Sequence, residues 1–229
     1  MKDYKLIIWD WNGTLLDDIS ASLGSVNDML LMRKMEPIDI LHYKECIGVP
    51  IKVFYDQVFD MEKEDYNVII KQYNEGYLCH LKNVSLSDGA GELLEKFAAE
   101  GKKQVIVSSS NSAQLIENVK KYGIMHYFDA VLGAADYYAD SKIDRAFNYI
   151  MENKIDPESI LVIGDLAHDA ELADQLGADC ILLSSGHEKP ERLAGSGVKV
   201  IDSLRELIPE VQQNDGNDAE IRKENNTKV

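Results

Sequence analysis

The sequence predicts an α/β fold, a parallel sheet flanked by helices, and three observations carry that expectation. Short runs rich in Ile, Val and Leu recur at 6–9, 105–107, 160–163, 181–183 and 198–201. The runs are continuous, without polar alternation, as expected of strands buried on both faces. Helical patterns lie between most of them, which is the rhythm of βαβ units.

Taken in order, the first run ends at Asp10 and is followed by Trp11-Asn12-Gly13-Thr14. Between Asp17 and Ser87 no buried-strand run appears, while Ile19, Leu23, Val26 and Leu30, and later Val68, Ile69, Tyr73 and Tyr77, keep a helical spacing. This segment is expected to be a helical insertion after the first strand, able to cover a site at the sheet edge. Sheet texture returns near Val105. The helices at 93–99, 113–122 and 171–176 stop at Gly101, Gly123 and Gly177, and Asn111-Ser112 precedes the second of them. Glycine supplies the left-handed cap and Ser, Asn or Asp the N-cap. The expected organisation is core at 1–16, helical insertion at 17–87, remaining core at 88–209 and a disordered polar tail at 210–229.

With 229 residues, 45% hydrophobic and 28% charged, the chain can bury one large core or a core with an insertion. A net charge of −16 argues against nucleic acid as a partner, although a local pocket for one small phosphate remains possible. No apolar run approaches the roughly 20 residues that span a bilayer. Met1-Lys2-Asp3-Tyr4 leads directly into a strand pattern without a cleavage region, so a cytoplasmic protein with no membrane partner is expected. Cys46, Cys79 and Cys180 are odd in number and far apart, and are expected to be buried thiols.

Three runs end in polar clusters: Asp10; Ser108-Ser109-Ser110-Asn111; and Asp165-Leu166-Ala167-His168-Asp169. Ligands of open parallel sheets bind beyond the carboxyl ends of the strands, so these clusters should meet at one crevice. Taken singly, each has a plainer reading. Ser108 to Asn111 could cap the next helix, Asp165 and Asp169 could be helix-dipole charges, and Lys142 could be a solvated lysine.

Together, Asp10-Trp11-Asn12-Gly13-Thr14, Ser108, Lys142 and Gly164-Asp165-x-x-x-Asp169 resemble the four motifs of the haloacid dehalogenase (HAD) superfamily, over residues 5–208. The resemblance implies a Rossmann-like HAD core with an inserted α-helical cap domain, on the phosphoglycolate phosphatase and β-phosphoglucomutase branch. It further implies a Mg²⁺-dependent phosphatase that hydrolyses a small phosphomonoester through an aspartyl phosphate on Asp10. Asp10, Asp165, the carbonyl of Asn12 and, directly or through water, Asp169 would hold Mg²⁺. Thr14, Ser108, Ser109 and Lys142 would bind the phosphorylated metabolite, and Lys142 would also supply positive charge to Asp10. Oligomeric state stays open between monomer and homodimer. His168 is given no role.

Asn12 departs from the pattern, because most phosphatases of the family carry an acid/base aspartate there. An amide has no usable pKa near neutrality, and general acid/base assistance is typically worth about 10²- to 10⁴-fold. Three consequences are open: slow turnover, a substrate with a good leaving group, or replacement by another side chain. Lys52 is the candidate for the third, since phosphonoacetaldehyde-cleaving members lack the second aspartate and use a cap lysine. A regulatory protein that retains its phosphoryl group is the remaining alternative.

Overall fold

The computed structural model describes residues 2–48, 50–135 and 142–208. The expected tail at 210–229 lies outside them. Six strands form one parallel sheet: β1 (Leu6–Trp9), β2 (Lys103–Asn111), β3 (Ala130–Ala134), β4 (Ile160–Gly164), β5 (Asp179–Leu183) and β6 (Lys199–Ile201), in the order β3-β2-β1-β4-β5-β6. β1 is central, its Trp9 in register with Ile106 of β2 and Ile163 of β4.

Successive residues of β1 serve opposite faces, as the strand period of two requires. Ile7 and Trp9 pack with Leu93, Leu94 and Phe97 of helix α5 (Ala90–Ala99) and with Leu115 and Val119 of α6 (Ser112–Lys121). Leu6 and Ile8 face Ala146 and Ile150 of α7 (Lys142–Asn153) and Leu172 and Leu176 of α8 (Ala167–Leu176). The short α9 (Pro190–Ala194) adds Leu193 to the second layer. Trp9 Nε1 donates to the buried Gln104 side chain, whose amide in turn donates to Leu94 O, so this polar group inside the sheet is paired.

Residues 19–80 supply four helices: α1 (Ile19–Met32), α2 (Ile40–Cys46), α3 (Lys52–Val58) and α4 (Tyr66–His80). Val26, Met29 and Leu30, Tyr43, Phe54, Tyr55 and Ile69 give them a core separate from the sheet's two layers. The chain leaves the sheet and returns by two adjacent segments, tied by Asp17 N–H to Ser85 O (3.1 Å) and Ser87 N–H to Leu15 O (2.9 Å). Two close crossings of this kind let a helical unit be carried on the core without disturbing the sheet.

Three sequence expectations change. β3 follows only a weak apolar signal, and its first three residues are half-buried, as suits an edge strand. α8 begins at Ala167, four residues before the expected start at Glu171, which brings Asp169 into its first turn and Asp165 just ahead of it. Cys46 and Cys180 are buried, but Cys79 is exposed, because it lies beside exposed Leu78 on the outer side of α4. Among the described residues no helix is long and apolar enough to cross a membrane.

Candidate active site

Asp10 and Asp165 stand just past the ends of neighbouring strands, and Asp10 N–H donates to Ile163 O at 2.8 Å. The strand order reverses between β1 and β4, which is where an open α/β sheet leaves its crevice. Asp169 reaches the same place from the first turn of α8. All three carboxylates are buried, and ligating oxygens from the three lie within 4.8 Å of one another.

Lys142, at the start of α7, is buried and bridges two of them, with Nζ 2.6 Å from Asp10 Oδ1 and 2.5 Å from Asp169 Oδ1. The other Asp169 oxygen accepts from the backbone N–H groups of Asp165 and Leu166, both at 3.1 Å. Asp165 is held by the Thr14 hydroxyl (3.0 Å) and by His187 N–H (2.7 Å). Thr14 is fully buried, so this bond fixes its side chain. Ser108 is buried in β2 where its pairing with β3 shifts register, its Oγ accepting from Ser110 N–H, while Ser109 is exposed. Asn111 caps α6, accepting from Ala113 and Gln114 N–H.

One lysine does not balance three buried carboxylates. Burial raises Asp10 above the usual carboxylate range, against the pull of Lys142. Burial, with Asp10 and Asp169 nearby, pushes Asp165 up to about 8 in spite of His187. Burial disfavours charged Lys142, but Asp10 and Asp169 outweigh it and raise its pKa. An oxygen-only set with surplus negative charge is the chemistry a hard divalent cation requires, so the residues present fit Mg²⁺.

Sequence reasoning missed four residues beside this cluster. Asp18 is fully buried and accepts four hydrogen bonds: Gly13 N–H (2.7 Å) and His187 Nε2 (3.1 Å) at Oδ1, Asn12 Nδ2 (2.7 Å) and the Tyr77 hydroxyl (2.8 Å) at Oδ2. Burial alone would raise Asp18, but the His187 charge and these bonds hold it below its ordinary value. Burial likewise opposes charge on His187, yet Asp18, with Asp165 and Asp10, pushes it up to about 9. His187 Nδ1 meets the Tyr43 hydroxyl of α2 at 2.9 Å. The signal for His187 was present, because Ser184-Ser185-Gly186-His187 is another polar cluster after an apolar run.

Two other candidates fall outside the cluster. Lys52 is exposed and paired with Asp56 at 2.8 Å, an i,i+4 pair on the surface of α3. That placement gives the phosphonate-cleaving alternative no support. His168 contacts Glu171 at 3.1 Å on the surface turn of α8.

Residues 7–183 match the family model of the haloacid dehalogenase-like hydrolases. A phosphoglycolate phosphatase of Pseudomonas fluorescens is 26% identical over 215 residues, covering 90% of this chain and 79% of that protein. A 5′-nucleotidase of Pseudomonas aeruginosa is 22% identical over 192 residues, covering 83% and 87%. Among solved structures, a haloacid dehalogenase-like family hydrolase of Streptococcus pneumoniae superposes with a TM-score of 0.76 at 18% identity, covering 88% of this chain and 94% of that one. With a family match over most of its length, an Asp10–Asp165–Asp169 cluster at the strand ends and a shared overall fold, the chain belongs to the haloacid dehalogenase-like hydrolases.

Proposed function

We propose that this protein is a Mg²⁺-dependent phosphatase that hydrolyses a small phosphomonoester, in the manner of a phosphoglycolate phosphatase. The observation that carries the reading is the convergence of Asp10, Asp165 and Asp169 on one point with a single buried lysine among them. The similarity to phosphatases acting on small phosphorylated molecules supports it.

Asp10, Asp165 and the carbonyl of Asn12 would hold the ion, with Asp169 as a further ligand directly or through water. When bound, Mg²⁺ neutralises charge and polarises the phosphoryl group. An Asp10 oxygen attacks phosphorus, the phosphorus–ester oxygen bond breaks, and the ester oxygen leaves with the bonding electrons, taking its proton from water because Asn12 supplies none. Water then attacks the aspartyl phosphate, releasing phosphate and restoring the carboxylate. Lys142 favours the anionic form of Asp10 against the cost of burial and shares its charge with the incoming phosphoryl group, while Ser108 and the Ser109 N–H receive its oxygens. The helical unit above the crevice restricts substrate size and excludes bulk water.

Phosphate release from a panel of small phosphomonoesters, measured with Mg²⁺ and with EDTA, tests this. Many turnovers with Mg²⁺, abolished by EDTA and by Asp10→Asn, are expected. Stoichiometric labelling of Asp10 without continued release would point to the regulatory alternative and overturn the phosphatase reading.

A further inference from the structure

We propose that Asn12 and Asp18 are a matched amide–carboxylate pair, and that Asp18 is the positioning residue that ties the nucleophile loop to the helical cap. The kinetic consequences rest on the phosphatase reading above, whereas the pairing itself does not.

Every polar atom of the Asn12 side chain is committed. Its Nδ2 donates to Asp18 Oδ2 (2.7 Å) and to the Tyr77 oxygen (2.9 Å), and its Oδ1 accepts from the Ser110 hydroxyl (2.6 Å). An ionised carboxylate only accepts, so the atom facing Asp18 must be the amide nitrogen. The amide is therefore a structural part of the loop, turned toward Asp18 and Tyr77. It is no damaged acid/base group.

Asp18 joins three pieces of the fold through its four donors: Asn12 and Gly13 of the nucleophile loop, Tyr77 of α4, and His187 of the loop after β5. His187 extends the link to Tyr43 of α2. The cap thus touches the nucleophile loop by two routes that meet at one buried carboxylate. Aspartate at position 12 would set a second acceptor about 2.7 Å from Asp18 Oδ2, where the amide nitrogen now donates. Two carboxylates at that separation with no proton between them repel, and one must turn away or take up a proton. The loop that carries Asp10 would shift in either case. Restoring the family's usual aspartate is therefore expected to harm this protein.

The test is a double-mutant cycle of Asn12→Asp, Asp18→Asn and the reciprocal double variant, which places an amide opposite a carboxylate again. The readouts are kcat and KM for p-nitrophenyl phosphate with Mg²⁺, and thermal unfolding. Each single variant is expected to lose at least tenfold in kcat, over and above any change in KM from weakened cap contacts. The double variant is expected to recover at least fivefold in kcat over Asn12→Asp and to melt above it. A rise in kcat for Asn12→Asp, or effects that simply add in the double, would overturn the pairing. If the wild type releases no phosphate, the phosphatase reading fails, and coupling in the melting temperatures still decides the pair. If Asn12→Asp does not fold but the double variant does, that rescue is the coupling. If neither folds, Asn12→Ser is compared with Asn12→Ala. Serine keeps a donor toward Asp18 and is expected to melt at least 3 °C above alanine, and equal melting would overturn the proposal.

Discussion

The Tyr43 hydroxyl and His187 Nδ1 stand 2.9 Å apart, one carried by the helical unit and the other by the sheet. Both residues are buried. Lys44 Nζ reaches Ser184 O (3.4 Å), and Arg192 donates to Ile47 O (2.6 Å), so the end of α2 is held against the core at several points. The arrangement is that of a closed cap.

Tyr43→Phe keeps the ring and its edge contact with Phe54 but removes the hydroxyl that meets the buried His187 imidazole, which Asp18 pushes up to about 9 against the cost of burial. A lost bond to a charged group costs about 1.5–3 kcal/mol. The closed state should weaken by that amount, raising KM for a small phosphomonoester by about tenfold or more. Steady-state kinetics on the purified variant check this, and an unchanged KM would separate the bond from closure.

Three buried carboxylates facing one lysine predict a strong response to metal. Saturating Mg²⁺ at about 100 times its Kd contributes about 2.7 kcal/mol to stability. For a chain of this size that raises Tm by roughly 5–10 °C. Asp165→Asn should melt near the wild type without Mg²⁺ or above it, since a neutral amide escapes the burial cost, and the repulsion from Asp10 and Asp169, that push this carboxyl up to about 8. Its Mg²⁺-induced shift should fall to less than half. Melting curves with Mg²⁺ and with EDTA measure both effects without requiring turnover.

Much of the site was legible before any coordinates, for a definite reason. Asp10 and Asp165 each follow an apolar run, and a parallel sheet gathers the ends of its strands in one place. Asp18 and Tyr77 were not legible in the same way, because their meeting depends on how α4 returns to the hinge after a long excursion. Asn12 could be recognised as an anomaly from sequence, but its meaning needed the partner at Asp18. β3 was missed although Ala130-Val131-Leu132 is an apolar run, and at the sheet edge its first three residues are only half-buried.

Within the helical unit, Arg33 grips Glu64 through two bonds of 2.6 and 2.8 Å and lies 5.0 Å over the Phe59 ring. The hydrogen bond from Arg33 holds Glu64 below its ordinary pKa. A depressed folded-state value contributes stability above the unfolded pKa and loses it as pH falls through the folded one. Glu64→Gln should therefore cost about 0.5–1 kcal/mol at pH 7. The difference from wild type should close as pH falls below the usual carboxylate range. Urea unfolding at pH 7 and at acidic pH measures it, and a gap that widens toward acid would contradict the assignment.

Gly13 has φ +72°, and a Cβ built there would lie 2.2 Å from Asp165 Oδ2 and 2.5 Å from His187 Cδ2. Gly101 shares the same φ of +72°, but its Cβ would meet nothing within 4 Å. The two positions separate backbone strain from contact at the site. Left-handed backbone costs an alanine roughly 1–2 kcal/mol, and Gly101→Ala should lose about that much with activity intact. Gly13→Ala bears the same strain and must also displace Asp165 and His187, which no rotamer of a methyl group can avoid. Its loss should exceed that of Gly101→Ala by at least about 2 kcal/mol, and a displacement of about 1 Å at the nucleophile loop should lower kcat about 10²-fold. Denaturant midpoints and phosphate release on the two variants side by side provide the comparison. Equal losses at both glycines would mean that the loop yields freely and that Asp165 is not held where its hydrogen bonds place it.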